Sequence, residues 1–182
     1  MIRPTNIIVS VIAAGLLAGM LLTNPDYNRA VSPFITHVAS GQNGATRLVS
    51  GRFEGWRTAD RIEFSDLGKP VIRDTQGVFL MADLRLSGQM TSALMSATWV
   101  GASKRRYETT RRVQGLPRQI DQQFLQPGLE SRTLAVFELP PDEIAGGSLL
   151  LSAPYDPPLE GSLMLAPPAT PPEHEAIARF TE

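Results

Sequence analysis

The stretch Gly77–Gly88 reads GVFLMADLRLSG. Val78, Leu80, Ala82, Leu84 and Leu86 recur at every second position, so in a strand they share one face. The other face carries Phe79, Met81, Asp83, Arg85 and Ser87. A strand apolar throughout on one side and polar over the second half of the other suits a half-buried antiparallel sheet. Glycines bound it at both ends, as turn residues do.

The same period continues on either side. RLVSGRFEGW places Val49, Gly51 and Phe53 on one face, and DRIEF does so for Ile62 and Phe64. PVIRD follows Gly68-Lys69. Ala93, Met95, Ala97 and Trp99 are in phase in SALMSATWVG. RRYETTRRV is rich in Tyr and Thr, RTLAVFEL is apolar on both faces, and SLLLS and GSLMLAP complete the run. RTLAVFEL, with Leu134 and Val136 on one side and Ala135 and Phe137 on the other, reads as a central strand. About eight or nine short strands, with no segment of helical period among them, predict an all-β sandwich or barrel of antiparallel strands. The expected core is Phe53, Ile62, Leu80, Leu84, Trp99, Leu134, Val136, Phe137 and Leu150. Phe79, Met81 and Trp56 are candidates for an exposed apolar patch.

The 182 residues suffice for one such domain with appendages, and 42% hydrophobic against 19% charged residues suits a folded chain. Formal net charge is -1, so nothing global points to nucleic acid. Residues 1–119 hold 15 Lys+Arg against 8 Asp+Glu, and residues 120–182 hold 2 against 10. Within the basic part, Lys104, Arg105, Arg106, Arg111 and Arg112 surround Tyr107, a candidate contact surface for anionic headgroups, an envelope polyanion or an acidic partner.

Ile7–Thr23, IIVSVIAAGLLAGMLLT, carries no charge. As a helix it spans roughly 25 Å, the short end for a bilayer core. It reads as a single transmembrane signal-anchor or as a cleaved signal peptide. Met20, Leu21, Leu22 and Thr23 fit poorly the small residues a cleavage site wants, which favours the anchor. Arg3 and the terminal amine favour a cytoplasmic N-terminus, with the bulk of the chain outside the cytoplasmic (inner) membrane. Gly15 and Gly19, with Ala14 and Ala18 beside them, form a small-residue face on which a second helix can pack. The expected organisation is 1–6 cytoplasmic, 7–23 anchor, 24–44 membrane-proximal linker, 45–166 sandwich and 167–182 a Pro-rich acidic tail. Val31, Phe34, Ile35 and Val38 in the linker are available for a short edge strand. EHEAIARF in the tail reads as flexible or marginally helical.

The chain has no cysteine and two histidines, His37 and His174. Thiolate chemistry and disulfides are excluded, and a His triad or multi-His zinc site is hard to build. No GxSxG, P-loop or GxGxxG occurs. Asp60, Glu63 and Asp66 are the one ligand-rich spot for a hard cation, and in this spacing they equally suit a solvated edge. No catalytic residue and no cofactor is expected.

The order GVFLMADLRLSG, ATWVGASKRRYETT, LQPGLESRTLAVFELPPD and GSLLLS resembles the DUF4352 type of extracellular immunoglobulin-like domain of bacterial lipoproteins and membrane-anchored proteins. Leu125, Pro127 and Gly128 match its Leu-x-Pro-Gly turn. Phe137, Leu139 and Pro140 match its strand end, and Arg106-Tyr107 its tyrosine strand. Ser87-Gly88-Gln89 depart from its Asn-rich turn, and the lipobox cysteine of many members is missing. Over Ala45–Ala166 the resemblance implies an immunoglobulin-like antiparallel β-sandwich, and no single activity. The expected role is a membrane-anchored extracytoplasmic binding or scaffolding module, an accessory subunit of an envelope or transport assembly, with the lipid bilayer and a protein as partners. The alternatives are a metal-dependent envelope-polymer hydrolase and a secreted soluble module.

Overall fold

The computed structural model describes residues 4–23, 34–154 and 160–180. The chain divides into two units, Met1–Ser32 and Pro33–Glu182. The first holds one helix, α1 (Pro4–Thr23), 20 residues long and free of charge. Its described side chains are all exposed, with Ile12 57% and Leu22 87% accessible. The side chains of Pro4, Thr5 and Ile7 lie outside the described residues, as do residues 24–33 of the expected 24–44 linker; the rest of that stretch is not a linker but supplies two strands of the second unit, over Ile35–Val38 and from Gly44. Among the described residues no helix is long and apolar enough to cross a membrane.

The second unit is built from ten described strands: β1 (Ile35–Val38), β2 (Gly44–Ala45), β3 (Val49–Asp66), β4 (Lys69–Gly88), β5 (Ser96–Val100), β6 (Arg106–Glu108), β7 (Ser131–Leu139), β8 (Ser148–Ser152), β9 (Ser162–Leu165) and β10 (Glu173–Phe180). They form two sheets, β1-β9-β8-β5-β6 and β10-β3-β4-β7, with β2 paired to the start of β3. The sheets stack as a β-sandwich through one apolar cluster. β4 contributes Val78, Leu80, Ala82, Leu84 and Leu86, β7 adds Ala135, Phe137 and Leu139, and the facing sheet answers with Trp99, Leu149, Leu151, Leu163 and Leu165. All nine residues expected in the core are buried.

The β3–β4 pair accounts for most of the difference from the expected short strands. What reads as four segments is one hairpin of two long strands, turned at Leu67-Gly68 with both residues at positive φ (48° and 78°). A two-residue turn with two such residues matches the twist of the strands it joins. The register shifts at Phe53/Gly55 and at Ala59/Arg61. Each shift resets the alternation, so Val49, Phe53 and Trp56 meet the sandwich core while Ala59, Ile62 and Phe64 face the opposite side. Strict alternation cannot be followed across such bulges.

That opposite side is itself covered. Phe79 and Met81 of β4 and Leu134 and Val136 of β7 pack with Val113 and Leu116, which cross the outer face of the sheet. Phe79 and Met81 are therefore fully buried and Trp56 half-buried, and the exposed patch expected of them does not form. β7 is an edge strand, contrary to the central position its two apolar faces suggest. Its free edge is closed by irregular chain: Thr110 N donates to Val136 O (2.8 Å) and Leu134 N to Arg118 O (2.7 Å).

The antiparallel expectation holds through both sheets except at one edge of each, where β1–β9 and β10–β3 are parallel. β10 overturns the flexible-tail reading of EHEAIARF. Ala178 and Phe180 pack on the outer cluster, and Trp56 Nε1 donates to Thr170 O (2.7 Å), tying down the Pro-rich approach. Strand formation there depends on the edge that β3 offers, which no local pattern announces. The ends of the sandwich are distinct. β1, β3, β7 and β9 start, and β4 ends, at a base where Arg47 pairs with Glu160 (3.2 Å). The opposite end, the head, carries the β3–β4 hairpin beyond the reach of β7, which pairs only with Val78–Leu86.

Ending the chain at Pro171 removes β10 and uncovers Ala178 and Phe180's share of the outer cluster. Burial of one large apolar side chain is worth about 1.5–3 kcal/mol, so a stability loss of about 2 kcal/mol is expected in chemical denaturation. An unchanged midpoint would show that the strand adds nothing to the sandwich.

Candidate functional site

At the head, between β3 residues Ala59 and Arg61 there is one residue, Asp60. Between their β4 partners Phe79 and Asp74 there are four: Thr75, Gln76, Gly77 and Val78. This wide bulge lifts the backbone off β3 and toward β7. Gly77 is needed there, because a Cβ would lie 2.5 Å from Leu139 O. Bulges of this kind redirect side chains and leave ladder groups unpaired.

The bulge forms one wall of a cleft of about 680 Å³, lined also by Arg112, Glu138, Leu139, Pro140 and Pro141. That volume falls within the range of about 300–1,000 Å³ usual for ligand sites. A polar triad crosses the cleft floor. Arg112 pairs with Glu138 through Nη1 and Oε1 at 2.7 Å and donates through Nη2 to Asp74 O at 2.9 Å. Thr75 Oγ1 donates to the same Glu138 oxygen at 2.7 Å. Arg73 Nε donates to Arg112 O at 3.0 Å, fixing the segment that presents the guanidinium. Arg112 stays about half exposed. Its charge is compensated by Glu138, so the cleft offers oriented donors and acceptors beside a Leu-Pro-Pro wall. That combination suits recognition of a partner's backbone and small side chains more than of a free anion.

The Pro140-Pro141 wall is held by Glu143. This side chain is 5% accessible and accepts from the Ser103 amide (3.0 Å) and from the Ser103 hydroxyl. Trp99 Nε1 donates to the Glu143 carbonyl (2.9 Å). Ser103 sits in the β5–β6 turn, so one carboxylate ties that turn to the short helical turn Pro141–Glu143. The Ser103 hydrogen bonds, side chain first and then backbone, hold the Glu143 carboxyl below the usual carboxylate range, with Arg105 and Tyr107 adding to them against burial.

The five expected basic residues do not form one surface. Lys104, Arg105 and Arg106 are exposed at the β5–β6 turn, with Lys104 at φ 68°. Arg112 is engaged in the cleft, and Arg111 borders a separate polar hollow with Glu108 and Asp121. Asp60 and Glu63 lie against β10: His174 Nε2 is 3.6 Å from Asp60, and Arg179 Nε is 3.1 Å from Glu63. Among the described residues no three His, Cys, Asp or Glu side chains gather where they could hold a metal. Gly15 and Gly19 face open space, with nothing within 4 Å of an added Cβ. Nothing in the sequence marks Asp74, Thr75, Gln76, Glu138 and Glu143 as parts of one site. The only local signal for the cleft is Gly77 within an otherwise strong strand pattern.

No protein-family model and no curated protein matches this chain. Among solved structures it is similar to an uncharacterised β-sandwich protein from Clostridium difficile 630. The two share 7% identity over 74% of this chain and 97% of the other, with a TM-score of 0.43.

A carboxylate held below its ordinary value stabilises the fold above the unfolded-state value, about 4.3 for Glu, and loses that contribution as pH falls through the folded value. The stability advantage of the wild type over Glu143→Gln is therefore flat above about pH 5 and shrinks below about pH 4. Parallel urea titrations across that window measure it. An advantage that grew on acidification would reverse the assignment.

Proposed function

We propose that the chain is a membrane-anchored, extracytoplasmic binding module, an accessory subunit whose head cleft takes a segment of a protein partner in an envelope or transport assembly. The observation that carries the reading is the cleft itself, built by a four-residue bulge and floored by the Arg112–Glu138–Thr75 triad. Bulges conserve shape at cost to the ladder, which favours a role in recognition.

An immunoglobulin-like sandwich is the finer fold we infer. It is supported by the strand order: β3-β4-β7 follow the A-B-E strands, and β9-β8-β5-β6 follow G-F-C-C′. Trp99, buried on β5, takes the place of the strand-C tryptophan and packs on Phe137 at 6.3 Å between ring centroids. A binding role is preferred to a hydrolytic one because His37 and His174 lie on edge strands of different sheets.

Anchoring rests on the sequence of the first unit. Ile7–Thr23 is charge-free, and as a helix this run spans roughly 25 Å, the short end for a bilayer core. Its small-residue face at Ala14, Gly15, Ala18 and Gly19 supplies a surface for a second helix in the same bilayer.

Two measurements test this. Full-length protein purified in mild detergent is expected to bring down a partner that is lost, with circular dichroism unchanged, when the cleft is filled by Gln76→Trp or its triad broken by Arg112→Glu. Equal recovery with all three proteins would remove the cleft from the function. The chain is also expected to stay with membranes through alkaline carbonate and to show an uncleaved mass. Loss of about the first two dozen residues would make it a secreted module instead.

A further inference from the structure

The base of the sandwich carries exposed apolar side chains on a rigid support. Met90 is 70% accessible, Phe124 61% and Leu129 58%. They belong to the β4–β5 connection and to the segment leading into β7, which are laced together. Ala93 N donates to Leu125 O (3.0 Å), Leu125 N to Ala93 O (2.8 Å), and Gly88 N to Gln126 O (3.2 Å). Ser92 Oγ adds a bond to Gln126 Oε1 (2.8 Å). Leu125 and Ala93 are buried beneath them. The pair of loops thus pushes Phe124 and Met90 outward from a pinned backbone. Phe34, 88% accessible, stands at the same end, at the start of β1, where its carbonyl accepts from Ser162 N (2.9 Å).

Most charges around this end are paired: Arg47 with Glu160 (3.2 Å), Arg85 with Glu54 (2.7 Å) and with Glu130 (3.4 Å), and Arg52 with Glu54 (3.2 Å). Arg132, exposed opposite Arg85, adds one further positive charge. Such an end carries little of the excess positive charge that an anionic surface selects, and its apolar tips are the main contacts it offers.

Phe34 is also where the chain arrives from α1. Ten residues, 24–33, lie between Thr23 and Phe34, and fully extended they span at most about 36 Å. We infer that the base is a second membrane contact: Phe34, Met90, Phe124 and Leu129 insert into the interfacial layer of the bilayer that holds α1. The inference rests on the anchor reading. A tether of this length keeps the tips at high effective concentration near the headgroups, so shallow insertion suffices.

The test uses full-length chain reconstituted in phosphatidylcholine vesicles containing bromine-labelled lipid. Phe124→Trp and Met90→Trp report on the base, and Leu67→Trp reports on the hairpin tip at the head, where Leu67 is 97% accessible. All three sites are exposed, so folding is retained, and the wild type supplies the background of Trp56 and Trp99. The expected result is loss and blue shift of emission for the two base reporters, with the Leu67 reporter unchanged. Vesicles that float with bound chain but leave the base reporters unquenched overturn the docking and spare the anchor. Quenching of all three overturns it as well, because the contact then has no orientation. A chain that does not float with vesicles overturns both readings. A blue shift that follows protein concentration in lipid-free detergent assigns the base to a protein interface and overturns lipid docking.

Discussion

Strand β4 is the constraint on which the second unit depends. From Val78 to Ala82 every residue is buried, with alternate side chains sent to two different clusters. Val78, Leu80 and Ala82 face the other sheet, and Phe79 and Met81 face the Val113–Leu116 crossing. A slip of one residue would exchange these sets, placing phenylalanine and methionine where the sandwich accepts valine and alanine. Register is thereby specified from both sides, and with β3 and β7 paired to it, β4 sets the phase of the whole sheet.

The bulge at Thr75–Val78 follows from that phase. Below it, β4 must keep step with β7, and above it with the hairpin arm whose Ile62 and Phe64 reach the outer cluster. Four residues opposite one absorb the mismatch, and the displaced backbone makes the cleft wall. The cleft's second wall is set by a separate device. Glu143 is buried with its hydrogen bonds satisfied, as a carboxylate in that position requires. Beside it, Gly147 leaves room for the Trp99 ring, which a Cβ would approach to 2.5 Å. Core and cleft therefore share parts: disturbing Trp99 disturbs the carbonyl that orients Glu143.

Much of the fold is legible in the sequence because burial writes a period of two. GVFLMADLRLSG and RTLAVFEL announce strands, and every residue expected in the core is there. What escapes is what depends on partners distant in sequence. β7 looks central since both its faces are apolar, yet it gains its second cover from a loop. β10 looks like a tail since EHEAIARF follows a Pro-rich stretch and starts with three polar residues, and its strand form depends on the edge it joins. The cleft escapes for the same reason. Thr75, Arg112 and Glu138 are separated by 37 and 26 positions, and no spacing rule links them. The run of basic residues was conspicuous in sequence, yet the chain turns within it and distributes the charges to three places.

The treatment of edges bears on how the chain avoids open-ended sheet pairing. A sheet edge with free N–H and C=O groups invites pairing with another chain. β7 is closed by Thr110 and Arg118. β3, 18 residues long, is covered over Arg57–Phe64 by β10. β10 in turn presents Glu173, His174, Glu175 and Arg179, with His174 and Arg179 lying against Asp60 and Glu63 of β3. Charged residues on an outer strand disfavour edge-to-edge addition while leaving faces and clefts free to bind. An eight-residue parallel strand supplied by the chain's own C-terminal part thus covers the open ladder edge of β3 and presents a charged outer strand in its place. In a β-rich chain this directs association toward shaped sites and away from open ladders.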